Sequence, residues 1–508
     1  MRWPWLAILL AGTVVALWSL AALGAWLFVK YRRDFATVQY IDLVWPGRWE
    51  QHRQNQGRHY INQAEALLQQ GDYVNAVHKL RAGVSKAPDS SQGRLLLARV
   101  YAAYRRPDLA QAVLLDGLPH LPGDRDYLQT TLGVLLEFQE DAKLLQLGRE
   151  LLAAPERAAF HPLIATFSAT AAYYRGNYDE AETLLDRYRL GDSPDGAILR
   201  ARIAWDRGFP ELALVHLKAH LALNPGHDQA RALLADYYRA LGRINEWESA
   251  LVERVAGDPL SAAPRVAYLQ LHHRRGDQPR LERETAAFLE QFGRDPLALL
   301  LLGDYAANTG QPNVARRVQQ HVSTRPEHAG AAALMVAEAY LVAGEHQAAL
   351  DLVAGYAKDY PEWSAQFAPV FNGLQAVALT GLGRSDEARL SLDHLLAQKN
   401  LRAENLVAVA GRLSALGARD LARSTLNRAS EADPLNQPAL ANLIRLELEM
   451  DAWAELPDHL RRFIHLRLPS REILARAHAE LGGDRHLLLP GQQELLASLQ
   501  SALNAGRP

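Results

Sequence analysis

The sequence of 508 residues predicts an all-α fold, a solenoid built from helical hairpins that repeat at a constant interval. A regular period of about 34 residues is typical of solenoids in which each repeat packs on its neighbours. No segment shows the sustained alternation of apolar and polar residues that half-buried strands require. The glycines that follow one another at this interval are Gly208, Gly242, Gly276, Gly310 and Gly344.

Two columns of small residues keep the same phase as these glycines. Helices that pack roughly 8–10 Å apart need small side chains where they cross, so these columns predict the contacts within and between hairpins. The first column, in the first helix of each hairpin, contains Ala64, Ala98, Ala169, Ala201, Ala235, Gly303, Ala337, Ala376 and Ala410. The second column, in the second helix, contains Ala76, Ala110, Ala181, Ala213, Ala315, Ala349, Ala388 and Ala422.

With these columns the chain resembles the tetratricopeptide repeat family, most plainly where Gly71-Asp72-Tyr73 leads to Ala76 and along the run from Gly176 to Ala181. The resemblance implies a right-handed superhelical solenoid of about twelve hairpins over residues 57–468. It also implies a concave groove that binds other proteins. Residues 469–508 lose the repeat but stay amphipathic, so we expect them to form capping helices, because a solenoid must cover its last apolar face.

Three repeats depart from the regular pattern. The repeats around Leu128 to Leu152 and Pro438 to Leu468 are degenerate. The repeat between Gly344 and Gly383 is longer than the others, which predicts an insertion near Tyr360 to Gln366.

The amino terminus, residues 1–34, predicts one transmembrane helix with a basic flank. The run from Trp3 to Val29 is uncharged and long enough to cross a bilayer. Aromatic and basic residues at the ends of such a run favour the membrane–water interface, so seven residues are assigned to it. They are Trp3, Trp5, Trp26, Lys30, Tyr31, Arg32 and Arg33. The alternative is a cleaved signal peptide with a small-residue site at Ala22-Leu23-Gly24.

The charges on either side of the span predict its orientation. Lys30, Arg32, Arg33 and Arg48 follow the apolar run, whereas only Arg2 precedes it. By the positive-inside rule the solenoid then lies in the cytoplasm, and the excess of arginine over lysine is typical of GC-rich bacterial genes, which suggests an inner membrane. A short amino-terminal tail can cross either way, so a periplasmic solenoid stays open.

Residues 35–56 form a juxtamembrane amphipathic segment. Phe35, Val38, Ile41 and Trp45 recur at helical spacing. This stripe fits a stalk packed on the first hairpin and fits equally well a helix lying along the membrane. Within the span, Gly12 and Ala16 can bring two helices together, which makes a homodimer one of the assemblies open to the chain.

The sequence contains no motif that predicts catalysis, a cofactor or a metal. Phosphate-binding glycine loops, nucleophile elbows and metalloprotease motifs are missing. His216 and His220 share a helical face, but zinc needs a third protein ligand, so packing is the preferred role. His272 and His273 point in different directions on a helix, and Glu447 and Glu449 are expected on a solvated face. The net charge of −2 and the absence of cysteine favour neither nucleic acid nor a thiolate site, and no small-molecule substrate is expected.

The predicted partner-binding groove follows from the repeat phase. One position of the first helix, in five successive repeats, carries Arg202, Asp236, Gln270, Asp304 and Glu338, which we call the polar ladder. The side chains expected beside it are Trp205, Asp206, Arg239, His273, Arg274 and Asn308. Aromatic and arginine side chains often anchor protein interfaces. The alternative is a solvated face whose charges pair across repeats.

These features predict a membrane-anchored scaffold that binds partner proteins through its groove and so assembles or regulates a complex at a bacterial inner membrane. A second hypothesis is a periplasmic structural component of a cell-envelope export or assembly apparatus. A third, an enzyme, would need a site that no motif reveals.

Overall fold

The computed structural model describes residues 3–32, 35, 38–104, 106–322, 326–399, 401–486 and 489–504. Within these ranges the chain forms 29 α-helices and no strand. They are α1 (Trp3–Leu27), α2 (Tyr40–Val44), α3 (Trp49–Gln69), α4 (Tyr73–Lys86), α5 (Ser91–Ala103), α6 (Pro107–Gly117), α7 (Arg125–Glu137), α8 (Asp141–Ala153), α9 (His161–Tyr174), α10 (Tyr178–Arg187), α11 (Pro194–Asp206), α12 (Pro210–Leu223), α13 (Asp228–Ala240), α14 (Ile244–Gly257), α15 (Ala262–Arg275), α16 (Gln278–Phe292), α17 (Pro296–Asn308), α18 (Pro312–Val322), α19 (Pro326–Val342), α20 (His346–Asp359), α21 (Pro361–Gln366), α22 (Ala368–Gly381), α23 (Ser385–Leu396), α24 (Ala403–Ala415), α25 (Arg419–Ala432), α26 (Gln437–Glu449), α27 (Leu456–Ile464), α28 (Arg471–Leu481) and α29 (Gln492–Asn504).

The all-α prediction is confirmed, and the helices pair in chain order. From α3 to α20 each odd helix is followed by its even partner, and α22 to α27 continue the pairing, which gives twelve hairpins in the described residues. The last pair, α28 and α29, lies within the segment 469–508 for which capping helices were expected. Both degenerate repeats are hairpins as well, α7–α8 and α26–α27.

The chain divides into two compact units. The first contains residues 1–172 and 187–189, and the second contains residues 173–186 and 190–508. The first unit therefore holds the apolar amino-terminal helix and the first hairpins. The second holds all the helices that carry the polar ladder.

The small-residue columns are buried as the repeat phase requires. Every alanine of both columns is at most 6% exposed. Gly303 replaces alanine in the first column because a Cβ there would lie 2.6 Å from Met335 Sδ. The hairpins thus pack through the contacts that the columns predict.

In the hairpins whose turns lie wholly within the described residues, the turn between the two helices has a left-handed residue. The glycines that adopt positive φ in the described residues are Gly71, Gly176, Gly208, Gly242, Gly276, Gly310, Gly344, Gly383, Gly417 and Gly491. In the two degenerate hairpins the same conformation is held by Gln139 (φ 57°) and Asp451 (φ 54°). The turn geometry therefore persists where the glycine is lost, although non-glycine residues adopt this region at a cost.

Helix starts are fixed by local chemistry. Side chains at the N-cap accept a hydrogen bond from an otherwise unpaired backbone N–H, as Asp72 does from Asn75 N and Asn436 from Ala439 N. Proline stands at or next to the first position of several helices, for example Pro210 in α12, where its missing N–H costs nothing. These signals explain why the hairpins begin where the repeat predicts.

The lengthened repeat has absorbed its extra residues as the short helix α21. The indole of Trp363 in this helix lies 5.3 Å from the rings of both Phe367 and Phe371. It also lies against Gly330, where a Cβ would come within 2.0 Å of the indole. The insertion is therefore packed onto α19 rather than looped out.

At the amino terminus, α1 continues into one turn of π-helix, Phe28–Arg32. The stretch Leu9–Arg32 is long and apolar enough to cross a membrane, and only 6% of its most apolar window is buried by protein. Phe35 is 3% exposed and packs on α3, with its ring 4.7 Å from that of His59. Helix α3 begins at Trp49, inside the predicted segment 35–56.

Candidate partner-binding surface

The five residues of the polar ladder lie at equivalent positions on α11, α13, α15, α17 and α19, the first helices of five successive hairpins. Asp236 and Asp304 are exposed, and Arg202, Gln270 and Glu338 are half-buried. All five belong to the second unit. The helical repeat thus places one polar side chain per hairpin along one wall of this unit.

The last rung of the ladder is paired across an intervening hairpin. Glu338 on α19 accepts from Arg412 Nη1 on α24 at 3.4 Å, although the hairpin α22–α23 lies between them in sequence. Two side chains that reach over a whole hairpin must lie on a face where neighbouring hairpins converge. A small cavity of about 90 Å³ lies under this ion pair, lined by apolar side chains that include Leu374 and Val409. Sequence reasoning missed Arg412 because the insertion shifts the repeat phase between the two residues.

Several neighbours of the ladder already have partners within the protein. Asp236 pairs with Arg239 in its own helix at 2.9 Å. The Trp205 ring stacks on that of Tyr237 in the next hairpin, with centroids 3.9 Å apart and planes 8° from parallel. Glu338 and Arg412 thus pair across repeats, whereas Asp236 and Arg239 pair within one helix. Tyr237 was missed by sequence reasoning, because the residue one repeat of about 34 residues after Trp205 is Arg239 and no aromatic residue in the repeat phase marks the contact.

Arg274 and His273 contact residues of the two neighbouring hairpins. The guanidinium of Arg274 lies 5.6 Å from the ring centroid of Trp247, which is buried on α14. His273 Nδ1 is 3.4 Å from Gln311 Nε2, just before α18. Both side chains are exposed, but their contacts place them at the edge of the ladder.

Three residues of the predicted surface make no side-chain hydrogen bond, ion pair or ring contact in the described ranges. They are Gln270, Asp304 and Asn308. Asp304 and Asn308 are one helical turn apart on α17 and both are exposed. These side chains are the ones that can offer hydrogen bonds and charge to a partner without first breaking an internal contact.

Asp206 lines a separate cavity at the start of the second unit. Its carboxylate accepts a hydrogen bond from Tyr173 Oη at 2.7 Å. Desolvation by the surrounding protein raises the pKa of the Asp206 carboxyl, and Tyr173 and Arg202 oppose the shift. Desolvation, reinforced by the charge of Asp206, also raises the pKa of Tyr173, so the phenol keeps its proton. The site thus places a neutral phenol donor beside the Asp206 carboxyl group.

This cavity of about 840 Å³ lies where the second unit closes on itself. It is lined by Tyr173 and Tyr178 on one side and by Arg471 and Ser498 from α28 and α29 on the other. The Leu468 N–H donates to Tyr174 O at 3.2 Å, and Arg175 Nη1 donates to His465 O at 3.1 Å. The segment between α27 and α28 therefore contacts the residues that join α9 to α10.

The pair Glu447 and Glu449 does not form the solvated face that the sequence suggested. Glu449 is exposed, but Glu447 is fully buried and accepts from His459 Nδ1 at 2.8 Å. Helix α26 turns this position inward, onto α27. The ligand atoms of Glu447, Glu455 and His459 lie within 4.8 Å of one another, a spacing that can suit a metal.

Arg423 supplies the positive charge in this cluster. It donates to Glu447 Oε1 at 3.4 Å and to Glu455 Oε2 at 3.2 Å. Arg423 thus balances part of the negative charge of the two carboxylates, and the cluster is a polar network that links α25, α26 and α27. His220, the other metal candidate, is buried and contacts His227 at 2.8 Å, in keeping with a packing role.

The residues assigned to the membrane interface have different environments. Trp3 and Tyr31 are 88% and 71% exposed, and Arg32 is exposed. Trp26 is half-buried and donates through Nε1 to Val38 O at 3.0 Å, and Lys30 lies 4.7 Å from the Trp26 ring centroid. The side chain of Trp5 and residue Arg33 lie outside the described residues.

The fold and its surface define a protein of helical-hairpin repeats. Residues 67–132 match the tetratricopeptide repeat family, so the chain contains tetratricopeptide repeats. A search of curated proteins found no match.

Solved structures of similar architecture align only distantly. The complex of Naa15/Naa10 bound to HypK-THB is 14% identical, with 92% of this chain and 71% of that chain covered and a TM-score of 0.30. PilW, a type IV pilus biogenesis factor, is 16% identical over 47% of this chain and 94% of its own, with a TM-score of 0.28. A tetratricopeptide repeat protein from Parabacteroides merdae is 15% identical over 50% and 98%, with a TM-score of 0.30. At these values none of them transfers a partner or an activity to this chain.

Proposed function

We propose that this protein is a membrane-anchored scaffold whose polar ladder binds partner proteins and so assembles or regulates a complex at a bacterial inner membrane. The observation that carries the proposal is the regular placement of one polar side chain per hairpin on five successive first helices of the second unit. A partner that lies along these helices contacts one such polar side chain at each hairpin, at a constant interval. The unpaired acid and amide of α17, Asp304 and Asn308, are the centre of this surface.

The exposure of α1 supports the proposed anchoring. An apolar helix of this length with so little protein around it is unstable in water and stable in a bilayer. Lys30 and Arg32 at its carboxyl end favour the cytoplasmic side for the hairpins that follow. On this proposal the protein crosses the membrane once and has its repeats in the cytoplasm.

Site-specific photo-crosslinking in cells tests the binding surface. We expect a photoreactive residue at Asp304 to capture one or more defined partner proteins. The matched control is Glu290, which is equally exposed but lies on α16, a second helix. Replacing Asp304 and Asn308 with arginine should abolish capture from position 202, whereas Glu290→Arg should leave it unchanged. Equal capture from positions 304 and 290 would contradict the ladder as the binding surface.

The absence of cysteine makes the orientation equally testable. Tyr73 is 49% exposed on α4, so Tyr73→Cys provides a unique thiol on the first hairpin. A cytoplasmic solenoid predicts that a membrane-impermeant maleimide labels this cysteine only after the inner membrane is opened. Labelling in intact spheroplasts would instead favour the periplasmic envelope component.

A further inference from the structure

Residues 38–49, here called the return segment, run back along α1. Three hydrogen bonds fix its course: Trp26 Nε1 donates to Val38 O at 3.0 Å, Tyr40 Oη to Ser19 O at 2.8 Å, and Trp18 Nε1 to Val44 O at 2.9 Å. Successive residues of the return segment therefore bond to residues of α1 that lie progressively nearer its amino terminus. From Trp26 to Trp18 this is a path of about 12 Å at the helical rise of 1.5 Å per residue.

The return segment covers only one face of α1. Ser19, Ala22 and Trp26 follow each other at spacings of three and four residues, so they share a face, and Ala22 is 7% exposed beneath the segment. On the uncovered side Leu20 and Leu23 remain 64% and 41% exposed. The apolar surface of α1 therefore continues past the residues that the segment covers.

The return segment adds aromatic surface of its own. Trp45 is 61% exposed, Trp49 46% and Ile41 43%. The ring of Trp49 lies 5.8 Å from that of Trp18, so the exposed indoles of the segment and of α1 form one patch. Such a cluster is costly in water but is typical of the membrane interface.

Other polar groups of the return segment bond to one another. Asp42 accepts from the Gln39 N–H at 3.0 Å and from Arg48 Nη1 at 3.4 Å. Trp49 Nε1 donates to Leu43 O at 3.0 Å. An Asp–Arg pair is expensive in the hydrocarbon layer but well tolerated among headgroups.

We infer that the return segment is a wedge that lies in the phospholipid headgroup layer, beside α1 in the leaflet where that helix leaves the membrane. The inference rests on the proposed anchoring through α1. Its level places the headgroup layer beside Trp18 to Trp26, so the part of α1 that crosses the hydrocarbon ends near Trp18. Trp3 to Trp18 is a run of 16 residues, slightly shorter than the roughly 17–25 residues of a typical span, so we expect the bilayer to thin locally around α1. Trp18, Trp45 and Trp49 then set the depth of the protein.

Depth-dependent fluorescence quenching tests this inference on the full-length, naturally cysteine-free chain. Trp45→Cys and, as an independent variant, Ile41→Cys are labelled with bimane and reconstituted into vesicles of phosphatidylcholine and phosphatidylglycerol. The vesicles carry a nitroxide either on the lipid headgroup or at the middle of the acyl chain. Gly12→Cys on α1 and Tyr73→Cys on α4 are the membrane-embedded and water-exposed references.

We expect a blue-shifted emission at positions 41 and 45, with stronger quenching by the headgroup nitroxide than by the chain-centre nitroxide. Position 12 should show the reverse order. Quenching at 41 and 45 no greater than at 73, with position 12 still quenched, would overturn the wedge and leave the anchor intact. Stronger quenching at 45 by the chain-centre nitroxide would also overturn it. If position 12 behaves like position 73 and the protein does not float with the vesicles, the anchoring itself is wrong.

Discussion

Two hairpins of the second unit each bury a histidine and treat it differently. In α15–α16, a regular repeat, His272 is 1% exposed and neither ring nitrogen has a hydrogen-bond partner in the described residues. In α26–α27, a degenerate repeat, His459 is 8% exposed and bonds to the buried Glu447. The regular hairpin packs its imidazole as an apolar ring, edge-on to Tyr268 with centroids 4.5 Å apart. The degenerate one has built a charged network around it.

The difference shows that a hairpin that has lost the regular repeat pattern can contain a specific polar network. A regular hairpin is stabilised by its alanine columns and needs no specific polar contact. In α26–α27 the bonds among Arg423, Glu447, Glu455 and His459 connect α25, α26 and α27 by directional contacts. Buried charges of this kind stabilise only while every partner is present, because an unpaired buried charge is costly.

The largest expected effect is the loss of Glu447. Glu447→Ala leaves His459 and Arg423 without their buried acceptor, so we expect the free energy of unfolding of this hairpin to fall by about 3 kcal/mol. Hydrogen exchange of the α26 and α27 amides, together with the denaturation midpoint, measures the change. Exchange also shows whether the loss is confined to the end of the solenoid, as nearest-neighbour coupling predicts.

Glu449→Ala is the matched control on the same helix. This carboxylate is exposed, and a surface substitution of this kind changes stability by roughly 0.5 kcal/mol at most. Similar effects at the two positions would show that the network does not stabilise α26–α27, and the contrast with α15–α16 would then be lost.

The contrast between these hairpins also marks how far the sequence could be read. The period of the glycines and alanines predicted the hairpins, their turns and the buried columns, because each repeat solves the same packing problem. The same periodic reasoning wrongly assigned Glu447 to a solvated face, because a repeating pattern cannot predict a contact that occurs in one repeat only. Arg412, beyond the lengthened repeat, and the Trp205–Tyr237 stack were missed for the same reason: each is a pairwise contact across hairpins. The binding role of the ladder remains a prediction.

Acidification should weaken the regular hairpin through His272. Burial lowers the pKa of His272 below its ordinary value of 6.5, against the opposing charges of Asp277 and Glu284. Below pH 6.5 His272 becomes protonated in the unfolded chain but stays neutral in the folded chain. The free energy of unfolding therefore has its full value above pH 6.5 and decreases as the pH falls below it. The slope that one such group contributes is at most about 1.4 kcal/mol per pH unit.

We therefore expect His272→Leu to flatten the pH dependence of the denaturation midpoint between pH 6.5 and the lower pKa of the folded state. His220 has a pKa lowered by burial as well, so part of the slope should remain. His273→Leu is the control, because this neighbouring imidazole is exposed. If the two variants have the same pH dependence, the folded protein accommodates the charged His272 without loss and the supposed weakness of the regular hairpin is wrong.

The smallest expected effects come from the turns of the same two hairpins. Gly276 has φ 67° with no atom within 4 Å of an added Cβ, so Gly276→Ala should cost about 1 kcal/mol for the left-handed backbone alone.

Asp451 adopts φ 54° in the degenerate hairpin and accepts from Trp453 Nε1 at 2.8 Å. Asp451→Gly gains backbone freedom but loses this hydrogen bond, and the two changes are each about 1 kcal/mol, so they should nearly cancel. Local hydrogen exchange of α15–α16 and α26–α27 measures both. A clear stabilisation by Asp451→Gly would mean that the Trp453 contact contributes nothing, and that this turn, unlike the buried network beside it, is only a strained remnant of the repeat.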